Sequence, residues 1–185
     1  MSWLLFIVVV LVAWFVFSFN RLVRLRVQSK NAWADIDVQL KRRYDLVPNL
    51  VETVKGYAGH EKETLEAVVE ARNRAMVAQG PANRGQAEGL FGQALTSLFA
   101  LAEAYPQLRA VESFAQLQNT LSLIEEALQN ARRYYNAVVR DFNTAIEQFP
   151  SNLVAGIFGF MRTDFFEIGA AERETPRVSL DADTY

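Results

Sequence analysis

Residues 117–149 read LQNTLSLIEEALQNARRYYNAVVRDFNTAIEQF, and the placing of their apolar side chains decides the fold. Leu117, Leu121, Ile124, Leu128, Ala131, Tyr135, Val138, Phe142, Ala145 and Phe149 alternate spacings of four and three without a miss. On a helix this draws one continuous seam. It is either the core stripe of a long bundle helix or an intermolecular coiled coil. The core stripe is preferred because other segments supply facing stripes.

Upstream, Phe91, Ala94, Leu98, Leu101 and Tyr105 keep the same rhythm, and the opposite face of that segment carries Leu90, Leu95 and Phe99. Residues 89–102 hold no charge, and fourteen residues are short for a membrane span but usual for a buried helix. A helix apolar all round is either central in a bundle or covered by a partner. Earlier still, Trp33, Ile36, Leu40, Tyr44, Val47, Val51, Val54 and Ala58 fall at helical spacing, with Pro48 expected to kink the helix or restart it. The pattern resumes through Leu65, Val68 and Met76. Gly80-Pro81 with Asn83 and Gly85 reads as a loop, and Pro106 and Pro150 as helix stops. No stretch sustains a period of two. The expected fold is all-α: an N-terminal transmembrane helix followed by an antiparallel up-and-down bundle of about four helices.

The transmembrane helix is read from Trp3 to Phe19, WLLFIVVVLVAWFVFSF, where Ser18 is the single polar residue. With Met1 and Ser2 it spans a hydrocarbon layer of about 30 Å. A cleavable signal peptide would need a basic n-region and a small-residue cleavage site; no Lys or Arg precedes the run, and Phe17 and Phe19 flank its end. Charge then sets the orientation. Residues 1–20 carry none, whereas seven basic residues between Arg21 and Arg43 stand against Asp35 and Asp37. Arg21, Arg24, Arg26 and Lys30 follow the span closely, which places the N-terminus outside and the domain in the cytoplasm. These four are the expected contacts to lipid headgroups. Arg42 and Arg43 lie about 30 Å further along an unbroken helix, beyond a Debye length, so their partners are expected to be protein. The chain therefore divides into an anchor at 1–20, a bundle domain at 21–171 and a polar tail at 172–185.

Chemistry is sought and not found. The chain has no cysteine, which removes disulfides, thiolate metal sites and thiol lipid anchors. His60 is the single histidine, and Thr64 stands where a zincin helix needs a second one. Di-iron bundle sites need two Glu-x-x-His pairs. No phosphate-cradling glycine loop is present, and no motif supports a Ser–Lys dyad. Glu125 and Glu126 beside Arg132 and Arg133 read as a solvated face. Asp35, Asp37, Arg42, Arg43 and Asp45 form a charged cluster read as structural ion pairing. The basic stretch lacks the interleaved aromatics of a single-strand binder, so no nucleic acid is expected. Nor are catalytic residues, a metal, a cofactor or a small-molecule substrate.

The segment after Pro150, SNLVAGIFGFMRTDFFEIG, is too apolar for a free tail. It is expected to fold back over the bundle, or else to offer Phe158, Phe160, Phe165 and Phe166 to a membrane or partner. Leu90, Leu95 and Phe99 are the corresponding candidate surface on the middle helix, where a second copy could dock.

Several of these residues carry a family resemblance. The run Asn31-Ala32-Trp33-Ala34-Asp35-Ile36-Asp37-Val38-Gln39-Leu40-Lys41-Arg42-Arg43, then Asp45-Leu46-Val47-Pro48-Asn49-Leu50-Val51, resembles the signature of the LemA family, as does Tyr57-Ala58-Gly59-His60-Glu61. Tyr135-Asn136, Phe142-Asn143 and Phe149-Pro150-Ser151-Asn152-Leu153-Val154, with Phe158-Gly159-Phe160, resemble its second signature. The resemblance runs from about residue 20 to 178. It implies a bacterial single-pass membrane protein with an antiparallel helical bundle and no catalytic residue, and one relative is associated with building magnetic organelles. The expected function is a non-enzymatic membrane-anchored scaffold or adaptor working through helix–helix contacts with an unidentified membrane or cytoplasmic protein. The alternative is a structural protein that binds or shapes the membrane surface.

The orientation is testable because the chain lacks native cysteine. A cysteine at position 2 is expected to react with a membrane-impermeant maleimide on spheroplasts, and one at position 82 is not. The reverse pattern overturns the cytoplasmic placement.

Overall fold

The structure, a computed structural model, describes residues 2–167; the expected polar tail at 172–185 lies outside the described residues. Six helices follow one another: α1 (Ser2–Ala58), α2 (Lys62–Val77), α3 (Pro81–Glu103), α4 (Pro106–Arg109), α5 (Glu112–Glu147) and α6 (Ser151–Ile157). Among the described residues there is no strand. The fold is all-α, and α1, α2, α3 and α5 make the antiparallel bundle.

α1 runs 57 residues without a break, about 85 Å at 1.5 Å per residue. Its first part, residues 2–13, is exposed on every side, and α1 is the one helix among the described residues long and apolar enough to cross a membrane. From Leu22 onward one stripe turns inward through Ala32, Ile36, Leu40, Tyr44, Val47, Leu50, Val54 and Ala58. The same helix is thus the apolar rod and the first wall of the bundle.

Pro48 does not end it. A proline lacks the N–H that would bond the carbonyl four residues back, here that of Tyr44. Arg72 of α2 supplies the missing donor: its Nε bonds the Tyr44 carbonyl at 2.8 Å. The orphaned acceptor is satisfied from a neighbouring helix, and α1 continues to Ala58. The expected restart lies instead at residues 59–61, ahead of α2.

α2 returns along α1 and α3 runs back alongside it. The expected loop at 80–85 shrinks to the approach to Pro81, because Pro81 takes the first helical position, where its fixed φ and missing N–H cost nothing. Gly80 precedes it with φ +78°, a conformation open to glycine. Asn83 and Gly85 therefore lie inside α3. In α2 the inward place after Val68 goes to Ala75, and Met76 is exposed.

α5 descends antiparallel to α1, its seam facing that helix. Leu121, Leu128, Tyr135, Val138, Phe142 and Ala145 are buried, as the core-stripe reading expects. Phe149 is not, because the helix stops at Glu147 before the seam is complete.

After α6 the chain reverses through a Schellman turn. Phe160 N–H bonds the Ala155 carbonyl at 3.0 Å, Gly159 N–H bonds that of Gly156, and Gly159 adopts φ +64°. This throws Phe160 back into the core, and residues 160–167 run extended over α5 as a strap. Asn143 gives and takes one hydrogen bond with the Thr163 backbone, both at 2.9 Å. Asn136 does the same with Phe166. Seven helical residues rise about 10.5 Å, and three extended residues cover about 10 Å, so the two amides meet the strap in register. Tyr135 Oη donates to the Asp164 carbonyl at 2.8 Å, and Phe166 is fully buried with its ring centroid 5.6 Å from that of Trp33.

The far end of the strap crosses α3 where the chain has no side chain. A Cβ on Gly85 would stand 2.1 Å from the Glu167 carbonyl oxygen, a backbone atom that cannot step aside cheaply. Gly85→Ala is expected to cost about 1–3 kcal/mol and to lower the melting temperature by several degrees. Unchanged melting would show that the strap does not lie on α3.

Candidate functional site

Two places in the fold hold polar or exposed chemistry that simple packing does not require. One is interior. Arg43 on α1 is 4% exposed and Glu88 on α3 is 1% exposed. Arg43 Nη1 lies 2.6 Å from Glu88 Oε2, and Tyr44 Oη donates to Glu88 Oε1. On its other side Arg43 Nε lies 2.6 Å from Glu125 Oε1 of α5, an ion pair without hydrogen-bond alignment. The guanidinium covers the Phe91 ring at 4.7 Å. One cation thus joins three helices. Burial, then the Glu88 carboxylate, pushes the Tyr44 phenol well above the usual tyrosine range, so it stays a donor. Tyr135 under the strap is likewise raised by burial and by Asp164, to about 12.

The charged cluster read from the sequence is divided by this geometry. Arg43 turns inward. Asp37 pairs with Arg84 of α3, whose guanidinium also lies 5.9 Å from the Trp33 ring. Asp35, Arg42 and Asp45 are exposed, as is His60. Ion pairing holds for Arg43 and Asp37, through partners that are remote in sequence.

The second place is the end of the bundle beside the apolar rod. α6 lies against residues 14–25 of α1, where Leu22, Phe142, Ala145, Val154, Ala155 and Phe160 form a small core of their own. The Phe158 ring sits 4.5 Å from Phe19 and 5.9 Å from Phe15, both within the predicted span. Around it Phe149, Leu153, Ile157 and Met161 are exposed. Arg21, Arg24, Arg26 and Lys30, the expected headgroup contacts, are exposed on the first turns beyond the rod. Arg26 also covers the Phe160 ring at 5.0 Å.

The candidate interaction surfaces are split. Leu90 is 54% exposed, in a groove between α2 and α3. Leu95 is buried and Phe99 half-buried, because α3 turns that face toward α1 and α5, where Phe99 meets Phe114. Beyond Pro150, the strap residues Phe160 and Phe166 are buried and Phe165 is half-buried, and Phe158 remains 48% exposed. Leu90 and Phe158 thus remain as surface, while Leu95, Phe160 and Phe166 belong to the core. No three His, Asp or Glu groups among the described residues converge as a metal site.

Glu88, Asn136, Asn143 and Arg162 escaped the reading of the sequence as site residues. Glu88 had one signal, a lone carboxylate at the edge of an uncharged helix. The two asparagines had another: they flank the seam seven residues apart, each just behind an inward aromatic.

Glu88→Ala leaves buried Arg43 with Glu125 alone and the Tyr44 hydroxyl without its acceptor, and is expected to cost about 1–3 kcal/mol in urea unfolding. Arg43→Met with Glu88→Leu is expected to recover part of that loss, since no charge then stays buried and Glu125 retains solvent access. Equal losses in both variants would place the cost in side-chain volume.

The comparisons with known proteins follow this geometry. A profile of the LemA family matches residues 32–180. Magnetosome protein MamQ 2 of Paramagnetospirillum magneticum is 25% identical over 86% of this chain and 68% of its own length. Magnetosome protein MamQ of Magnetospirillum gryphiswaldense is 25% identical over 80% of this chain and 64% of its own. Protein LemA of Metamycoplasma hominis is 27% identical over 89% of this chain and 73% of its own. These relatives and the apolar rod together mark a membrane-associated protein. With a match running from the first turns of the bundle past the end of the strap, the chain belongs to the LemA family.

Proposed function

We propose that the protein is a non-enzymatic scaffold of the inner membrane, anchored by α1 with its N-terminus outside and presenting its bundle to protein partners in the cytoplasm. The observation that carries this is the continuity of α1. A helix with no hinge between membrane and bundle holds the domain at one height and one attitude, which is what a positioning element needs. The groove between α2 and α3 around Leu90 is the partner surface. Ala67, Ala71, Ala87 and Ala94 line it, and such short side chains let a partner helix approach closely. A second copy of the chain is the simplest occupant, because a common membrane raises effective concentration.

A second reading, attachment to or shaping of the membrane surface, is favoured by a different observation. The apolar side chains around α6 lie beside the predicted span, where they meet lipid rather than water. The magnetosome relatives support a role in membrane organisation.

A photocrosslinking residue at position 90 of the full-length protein in cells tests the scaffold. Discrete protein adducts are expected, and an adduct of twice 20.9 kDa would identify a second copy. Adducts to lipid alone, from position 90 as from position 153, would overturn the scaffold in favour of surface attachment.

A further inference from the structure

A cavity of about 460 Å³ opens between α1, α5 and the first residues of the strap. Its rim carries Arg26 and Lys30 from α1 and Arg162 from the strap; Trp33, Phe142 and Phe160 form its apolar wall. Glu147 pairs with Arg162 at 2.8 Å. Among the described residues neither Arg26 nor Lys30 has an ion-pair partner, so the rim holds three cations against one carboxylate. The lining is strongly basic at the mouth and aromatic within.

Its depth narrows the choice of ligand. Phe158 touches Phe15 and Phe19, which places the turn before the strap at the edge of the hydrocarbon layer. Arg26 follows Phe19 by seven residues, about 10 Å along the helix. The headgroup layer is about 5–7 Å thick. Side chains on a helix lean toward its N-terminus, which here is the membrane side. Arg26 is therefore drawn back toward the headgroups from just beyond them, and Lys30, about 16 Å from Phe19 along the helix, leans the same way.

We propose that this cavity binds the phosphate of an anionic phospholipid, with Arg26, Lys30 and Arg162 on the phosphate oxygens and Phe160, which faces Phe19 on the membrane side, against the glycerol. Guanidinium groups suit this task because they offer planar paired donors to phosphate. Arg21 and Arg24 do not line the cavity and serve only as diffuse surface charge. The site rests on the membrane-anchored reading and adds to it a defined lipid that locks the bundle against the bilayer.

Trp33 is a built-in reporter. Full-length protein carrying Trp3→Phe and Trp14→Phe, with Trp33 as its sole tryptophan, is reconstituted in phosphatidylcholine vesicles. Headgroup-nitroxide phosphatidylglycerol is expected to quench Trp33 at a mole fraction about tenfold below that needed with the phosphatidylcholine analogue. Arg26→Gln with Lys30→Gln, and separately the exposed Arg162→Gln, is expected to lose that preference, with helical circular dichroism unchanged. Arg21→Gln with Arg24→Gln keeps it. Inorganic phosphate that relieves the quenching supports the site with a soluble phosphate as its ligand; quenching that persists supports the lipid. Equal quenching by both lipids, or equal loss in the two double variants, overturns the pocket. If the protein floats with the vesicles, that failure leaves anchoring intact; protein that does not float overturns both.

Discussion

Every other element of this protein is positioned by α1. An α-helix satisfies its own backbone, so one helix serves both as an apolar rod and as a wall of the bundle without changing conformation. What changes along α1 is the side chains: apolar all round at first, then a single inward stripe from Leu22. The danger to such a rod is Pro48, which removes a hydrogen bond deep in the domain. Arg72 covers that defect from α2. The neighbour that repairs the rod is thereby held by it, so rod and bundle stabilise one another.

Arg43 works in the same way at the level of the helices. A buried guanidinium is costly unless several groups answer it. Glu88, Glu125 and the Phe91 ring do so from two different helices, and Tyr44 completes the Glu88 carboxylate. Apolar side chains tolerate sliding along a seam; an ion pair with a fixed reach does not. The cluster therefore sets the heights of α3 and α5 against α1, and the strap fixes the membrane-side end through Asn136 and Asn143.

The strap joins the interior to the membrane side. It leaves α6 at the level of Phe15 and Phe19, buries Phe160 and Phe166, and reaches Gly85 on α3. Through it the exposed foot around Phe158 is tied to three helices of the bundle.

Periodicity made the helices legible because burial of one face imposes a repeat that any reader of the chain can count. The α5 seam and the inward stripe of α1 belong to this class; length and apolarity marked the span, and the LemA signature marked the family. Loop and break signals were less dependable. Pro81 and Pro48 each have two physical outcomes, and position within a helix and a neighbouring donor choose between them. Residues that act across the fold left the faintest trace. Glu88 lies 45 positions from Arg43, and Asn143 lies 20 from Thr163. A polar side chain carries no mark in sequence of whether water or a distant partner will satisfy it. That choice is made when helices pack and exclude water, and so the interior ion cluster, the strap and the basic cavity emerged only in three dimensions.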